Sequence, residues 1–251
     1  MTDCEKLRYA SIYVKEWIRK QPDVYEESLT DWLLYYISDN INNITYKSFT
    51  RRHEGEVTGA DWEWWFLYPH ASYKFRVQAK MLERNNYKAL NQSNRHGKQI
   101  DLLINDAIKY KFFPLYSFYT NGASSHVRCN KNILDEGVYL ANAIELKESY
   151  VTPNITPINE SEILQTTIPL SCLFCCPLVF SSFESFLEEY FSFSANEENK
   201  PLGKYLEIPQ YVNSILNYKY ELLPLGWYAD YRVEFDGVKG IMIIDNRNNT
   251  K

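Results

Sequence analysis

The chain has 251 residues, of which 45% are hydrophobic and 24% are charged, and its formal net charge is −5. These values are typical of one large globular domain or of a domain with a sizeable extension, and they argue against a protein that coats nucleic acid without specificity. The sequence lacks the roughly 18 apolar residues of a membrane span and the pattern of a signal peptide, so we expect a cytoplasmic protein without a membrane partner.

Charge is unevenly distributed along the chain. Residues 74–98 carry seven basic side chains and a single acidic one, whereas residues 182–198 are rich in glutamate. A local basic surface on an acidic protein suits a focused contact with phosphate groups. A solvated face with an excess of lysine would explain the charges equally well.

Five cysteines occur, and in a reducing compartment we expect them to be free thiols. Cys172 and Cys175 have the spacing of half a zinc site, but the sequence has no second pair at this spacing. His126 and Cys129 would have to complete such a site. Buried thiols in an apolar strand are therefore the favoured interpretation.

The first half of the chain predicts, in order, helix, helix, strand, strand, helix and strand. Apolar residues at helical spacing predict helices over 4–20, from Asp23 to about Asn40, and over 99–110. Asp23 and Glu26 have the spacing of a capping box for the second helix. The remaining predicted segments are the strands 59–67, 73–82 and 113–120 and the loops 38–48 and 91–98.

Beyond residue 122 the pattern is less distinct. Residues 137–146 predict a strand or a short helix, and residues 180–193 predict a helix. Residues 231–245 predict a hairpin that turns at Asp236-Gly237, because this dipeptide favours a tight hairpin turn.

The strands 59–67 and 73–82 each combine apolar residues with charges at every second position. Alternate side chains of a strand point to opposite faces, so the polar residues of each strand share one face. Solvated faces with cross-strand ion pairs are common and would explain this pattern, but a tryptophan on the polar face favours a site. The residues on these faces are Asp61, Glu63 and Trp65 on the first strand and Arg76, Gln78 and Lys80 on the second.

Asp61, followed by Gln78-Ala79-Lys80 and preceded by a helix with acidic residues, resembles the signature of the PD-(D/E)xK nuclease superfamily. More closely, it is similar to the branch in which Gln replaces the acid of E-x-K, as in Mrr-like restriction and bacterial defence nucleases. The predicted order of elements agrees with that superfamily from about residue 26 to residue 120.

The sequence departs from the commoner pattern at three points. No proline precedes Asp61, and Gln78 stands where an acid is usual. Gln99 is followed by Leu103, whereas the RecB-like branch has tyrosine at that spacing.

The resemblance implies an α/β fold with a restriction-endonuclease-like core, in which helices flank a mixed central sheet. Residues 1–122 would form the nuclease core. Residues 123–251 would form an extension packed on it, which completes the sheet or adds a recognition surface and has no assigned function.

The resemblance further implies a metal-dependent endonuclease that cleaves nucleic acid, DNA rather than RNA, in bacterial antiphage defence. An activating partner or signal and a homo-oligomer are both compatible with it. The alternative is a catalytically inactive, nuclease-like binding or sensor protein.

The implied cofactor is Mg²⁺ or Mn²⁺, which prefers oxygen ligands. Asp61 and Gln78 would bind the metal, with the backbone carbonyl of Ala79 as a third ligand. Lys80 would orient the attacking water and offset charge on the phosphate. Glu26 either points into the site as a further acid or only closes the capping box.

Four further residues are candidates for the same site. Glu63 shares a face with Asp61 and would be a second metal ligand or a cross-strand partner of Lys80. Phosphate contacts are expected from Arg76, Arg84 and Lys98.

Overall fold

A mixed β-sheet forms the centre of the computed structural model, and helices flank it. The predicted fold class is therefore confirmed, and the architecture is consistent with a restriction-endonuclease-like core. The structure describes residues 1–49, 58–82, 88–122, 126–129, 135–155, 158–176, 180, 182–191, 203–219, 221–224, 226–227, 230–231 and 237–248.

The described chain begins with two helices and three strands, and helices and strands are mixed along the rest of it. The strands are β1 Ile44–Ser48, β2 Trp62–Leu67, β3 Ser72–Met81, β4 Ser93–Asn94, β5 Gly97–Lys98, β6 Phe113–Tyr119, β7 Val138–Asn142, β8 Ile168–Pro169, β9 Lys204–Tyr205 and β10 Gly240–Asp245. The α-helices are α1 Asp3–Lys20, α2 Glu26–Asn40, α3 Lys88–Asn91, α4 Gln99–Tyr110, α5 Ala143–Leu146, α6 Glu160–Gln165, α7 Cys172–Cys175, α8 Phe183–Phe191 and α9 Gln210–Asn217. A π-helical turn, Lys147–Val151, follows α5 directly.

The central sheet has the strand order β1-β10-β2-β3-β6-β7-β8, and β9 pairs with the beginning of β3. The pairs β10–β2 and β3–β6 are parallel, and the other pairs are antiparallel. The short strands β4 and β5 form a separate hairpin that leads into α4.

The C-terminal strand β10 lies between two N-terminal strands. Ile243 is opposite Thr45 of β1 on one side and Trp65 of β2 on the other. The predicted boundary at residue 122 therefore runs through one continuous sheet, and the second half of the chain completes that sheet. The predicted hairpin does not fit this topology, because β1 and β2 occupy both edges of β10; its first strand falls largely on 232–236, outside the described residues.

Most predicted elements are confirmed, and one predicted loop is wrong because of a contact between distant segments. The helices over 4–20 and 99–110 and the strand over 113–120 are present. Residues 137–146 form a strand followed by a helical turn, so both alternatives occur there. The loop predicted over 38–48 is wrong, because β1 forms there by pairing with the distant β10.

The two N-terminal helices begin differently. At α1, the Thr2 side chain accepts from the Glu5 N–H, and the Glu5 carboxylate accepts from the Thr2 N–H at 2.7 Å, which makes a capping box. The capping box predicted for α2 is wrong, because its N-cap is Tyr25 and no side chain caps it. The Glu26 carboxylate instead accepts a hydrogen bond from β3.

Helices cover both faces of β2 and β3, every residue of which is buried except the half-buried Met81. Leu7 of α1 and Leu33 of α2 contact the face that carries Trp64 and line a small apolar cavity with it. Helices α4 and α9 contact the opposite face through ion pairs and hydrogen bonds to its charged residues. The alternating charges therefore do not form the solvated face that an edge sheet often has.

A disulfide joins Cys4 of α1 to Cys175 of α7, so the expectation of free thiols is wrong for these two residues. In the part of the chain that the structure describes, no helix combines the length and apolar character needed to cross a bilayer.

The position of β10 predicts that the two halves of the chain unfold together. Ile243 is fully buried, whereas Ile108 of α4 is 53% exposed. We expect Ile243→Ala to lower the free energy of unfolding by about 2–5 kcal/mol and the control Ile108→Ala by about 0.5 kcal/mol or less. Urea unfolding followed by fluorescence and circular dichroism measures both. Two separate transitions in the wild-type protein, or equal effects of the two substitutions, would contradict the shared core.

Candidate active site

A cavity of about 220 Å³ opens where the beginning of α2 meets the beginnings of β2 and β10 and the end of β3. Its walls combine four carboxylates with one lysine, a concentration of charge that is unusual for a small cavity. The lining residues are Glu26, Glu27, Thr30, Asp31, Ser48, Phe49, Asp61, Trp62, Ala79 and Lys239.

Asp61 lies at the centre of this group, immediately before β2. Its Oδ2 accepts hydrogen bonds from the Ala79 N–H at 3.0 Å and from the side-chain amide of Gln78. Its backbone N–H donates to Val77 O at 2.9 Å, which holds the residue against β3. The carboxylate is therefore held in one orientation and keeps Oδ1 directed toward the cavity residue Lys239.

Glu26 enters the cavity from the first turn of α2. Its Oε2 accepts a hydrogen bond from the Met81 N–H at 2.7 Å. Burial raises the pKa of this carboxyl to about 7, while nearby Lys80 lowers it and Asp61 raises it. An acid with this pKa can both accept and release a proton near neutral pH.

Gln78 connects Asp61 to the beginning of α4. Its Nε2 donates to Asp61 and to the Ala79 carbonyl, and its Oε1 accepts from Gln99 Nε2 at 2.8 Å. Among the residues that the structure describes, the buried Oε1 of Gln99 has no hydrogen-bond partner. A 180° rotation of both side-chain amides would direct the Oε1 of Gln78 toward Asp61. The hydrogen bond between Gln78 and Gln99 would then run in the opposite direction, because each amide carries a donor and an acceptor.

Lys80 lies on the same face of β3 as Gln78 and is only 7% exposed. Its charge acts on the carboxyl of Glu26. The structure thus brings together four residues that the sequence predicted for the site: Glu26, Asp61, Gln78 and Lys80.

Three charged cavity residues, Glu27, Asp31 and Lys239, were not predicted as site residues. The Nζ of Lys239 lies 3.1 Å from Asp61 Oδ1 and 2.9 Å from Glu27 Oε1. Burial alone would lower the pKa of Lys239, but Asp61 and Glu27 outweigh it and raise the pKa. Lys239 precedes β10, and no sequence motif marks a single lysine so far from Asp61. Glu27 lies outside the apolar stripe of α2, so the helical pattern gave no reason to choose it as a site residue.

Two predicted site residues, Glu63 and Arg76, lie in the interior instead. Arg76 is 2% exposed and forms ion pairs with Glu63 at 3.0 Å and with Asp106 of α4 at 3.1 Å. Glu63 is fully buried and also accepts hydrogen bonds from Trp65 and Tyr211. The roles predicted for them do not fit the structure, because Glu63 is surrounded by protein donors and no phosphate can reach Arg76.

The other predicted phosphate contacts differ in position. Lys98 is exposed at the end of β5, directly before Gln99. The exposed Arg95 and His96 lie in the same β4–β5 hairpin. Arg84 lies outside the described residues.

The raised pKa of Glu26 predicts a pH-dependent stability. Between the usual carboxyl pKa of 4.5 and about 7, folded Glu26 keeps a proton that the unfolded chain releases, so stability falls as pH rises through this window. Without divalent cations, we expect wild type to lose on the order of 3 kcal/mol relative to Glu26→Gln between pH 4.5 and 8. Denaturant unfolding in EDTA at several pH values measures this difference.

Glu136, whose pKa is also about 7, is present in both proteins and cancels in the difference. Parallel stability curves for wild type and Glu26→Gln would show that the carboxyl of Glu26 titrates normally.

Comparison with known proteins adds one finding about the chain as a whole. No curated protein matches the sequence. The model of a family described as a family of unknown function, DUF6615, matches residues 3–250, from α1 through β10. Because this match covers nearly the whole chain, the chain belongs to the DUF6615 family.

Proposed function

We propose that this protein is a Mg²⁺-dependent nuclease that hydrolyses phosphodiester bonds, with its active site in the cavity around Asp61. The observation that carries the proposal is the convergence of Glu26, Asp61, Gln78 and Lys80 from three separate elements. Their types and order match the nuclease signature that the sequence resembles.

The cavity suits a hard divalent cation because its donors are oxygen atoms. Asp61, Glu26 and Glu27 offer carboxylate oxygens, and Ala79 lines the same cavity. Gln78 would contribute its carbonyl oxygen after the amide rotation that its bond to Gln99 permits. Mg²⁺ bound there would polarise the phosphate and make a water molecule a stronger nucleophile.

The protein's own groups would handle the proton and the charge. Glu26, with a pKa of about 7, can accept the proton that water loses as it attacks phosphorus. Lys80 would offset the negative charge that develops on the phosphate oxygens. Lys239 would have to leave Asp61 for a cation to bind, and its ammonium group would then be close enough to serve the same purpose.

The exposed basic hairpin supports a nucleic acid as the substrate. Arg95, His96 and Lys98 project from the β4–β5 hairpin, which leads directly to Gln99 and so to Gln78. Basic side chains beside a catalytic cavity favour contact with a phosphate backbone. DNA as the polymer, and a cytoplasmic role in bacterial antiphage defence, are proposed from the resemblance.

One observation favours a second candidate, a nuclease-like binding or sensor protein without catalysis. The Lys239 ammonium group lies against Asp61, where a divalent cation would bind in a nuclease. If Lys239 never leaves this position, the site is permanently closed to metal.

Substitution of Lys80 tests the proposed activity. We expect Lys80→Ala and Asp61→Asn to lose cleavage by about 100-fold or more, because Lys80→Ala removes the cation that would offset charge on the phosphate and Asp61→Asn removes a carboxylate ligand of the metal. Plasmid DNA, single-stranded DNA and RNA are incubated with protein in Mg²⁺ or Mn²⁺, with and without EDTA. The matched control is Lys109→Ala, since Lys109 is exposed on α4 away from the cavity.

Melting temperatures establish that each variant is folded. Cleavage by a well-folded Lys80→Ala at the wild-type rate would refute the assignment of the site. Absence of cleavage by wild type with every substrate would favour the sensor.

The ion pair between Lys239 and Asp61 predicts that Lys239 competes with the metal for the Asp61 carboxylate. Because its ammonium group must be displaced from Asp61, we expect Lys239→Met to bind Mn²⁺ about tenfold more tightly or better, equivalent to about 1.4 kcal/mol. Isothermal titration calorimetry measures the affinity, and Asp61→Asn should abolish it. An unchanged affinity in Lys239→Met would show that the ion pair does not oppose the metal.

A further inference from the structure

Three cysteines from two separate segments of the chain meet in the interior, and none of them lines the oxygen-lined cavity. The Sγ atoms of Cys129, Cys172 and Cys176 all lie within 4.8 Å of one another, and those of Cys129 and Cys172 are 3.4 Å apart. All three residues are buried. The short helix α7 brings Cys172 and Cys176 onto one side, because four residues correspond to about one helical turn.

This arrangement matches what a thiolate site for zinc requires. Zinc–sulfur bonds are about 2.3 Å long, so sulfur atoms around a tetrahedral ion lie roughly 3.8 Å apart. One sulfur–sulfur separation is 3.4 Å and none exceeds 4.8 Å, so the three sulfurs need only small movements to share one ion. Apolar packing alone gives no reason for three buried sulfur atoms to face one another.

We propose that Cys129, Cys172 and Cys176 bind a zinc ion that stabilises the fold. Soft thiolate ligands select zinc over Mg²⁺, so this site and the oxygen-lined cavity would not compete for the same metal. The proposal does not depend on nuclease activity.

The other two cysteines of the chain form a disulfide and so cannot supply a fourth thiolate ligand. The chain has five cysteines, and Cys4 and Cys175 are joined to each other. The disulfide ties α7 to α1, and the ion would tie α7 to the segment around Cys129. That segment already contacts its surroundings through Arg128, which donates its backbone N–H to Thr167 O and pairs with Glu145. The fourth position of a tetrahedral ion would be taken by water or another side chain.

Metal analysis of the full-length protein tests the proposal. Protein purified without chelators should contain about one zinc per chain by inductively coupled plasma mass spectrometry. Replacement by Co²⁺ should give the near-ultraviolet thiolate-to-cobalt absorption band, and Cys129→Ser and Cys172→Ser should each weaken it by about a third or abolish it. The control is the double variant Cys4→Ser/Cys175→Ser, because it removes the disulfide without adding a fourth free thiol and leaves the three clustered thiols in place.

A second measurement uses the wild-type protein alone and so does not depend on the folding of any variant. Zinc-loaded protein and EDTA-treated protein are alkylated under native conditions, and the peptides carrying the three cysteines are identified by mass spectrometry. We expect these cysteines to be alkylated more slowly when zinc is bound. Failure of the reduced protein to bind either Zn²⁺ or Co²⁺ would overturn the proposal, as would a cobalt band that persists in both serine variants. Equal alkylation with and without zinc would overturn it too.

Discussion

The pairing of β10 between β1 and β2 is the constraint on which the rest of the structure depends. Each neighbour satisfies one row of backbone hydrogen-bonding groups, so removing β10 would leave buried N–H and C=O groups of both strands unpaired. The same pairing brings Lys239 to Asp61, because the residue before β10 is hydrogen-bonded to the residue before β2. A single sheet connection therefore completes the core and supplies a side chain of the site.

The charged face of β2 and β3 lies in two different environments along its length. In its middle, Glu63 and Arg76 face each other under α4 and α9, where Arg76 also pairs with Asp106 and Glu63 accepts a hydrogen bond from Tyr211. Buried charges require partners of opposite charge, since an unpaired one costs several kcal/mol. This network is consistent with a structural role.

At one end of the same face, the polar residues lie beside an opening. Asp61 and Gln78 are bonded to each other, and Gln78 is bonded in turn to Gln99 at the beginning of α4. The site is thus supported by a second layer of side chains, which is the condition for holding catalytic groups in a defined orientation. Glu63 thus belongs to a sealed ion pair, whereas Asp61, two residues before it, lines the cavity.

Local sequence determined much of this protein. The helical spacing of α1 and α4 and the alternation in β2 and β3 depend on neighbours within a few residues, so pattern alone predicted these elements. The signature residues Asp61, Gln78 and Lys80 also lie on adjacent strands, and their shared face follows from the two-residue period. Tertiary structure decided what distant segments contribute. The pairing of β10, the approach of Lys239 to Asp61 and the burial of Arg76 arise from contacts between residues far apart in the chain, and no local period records such contacts.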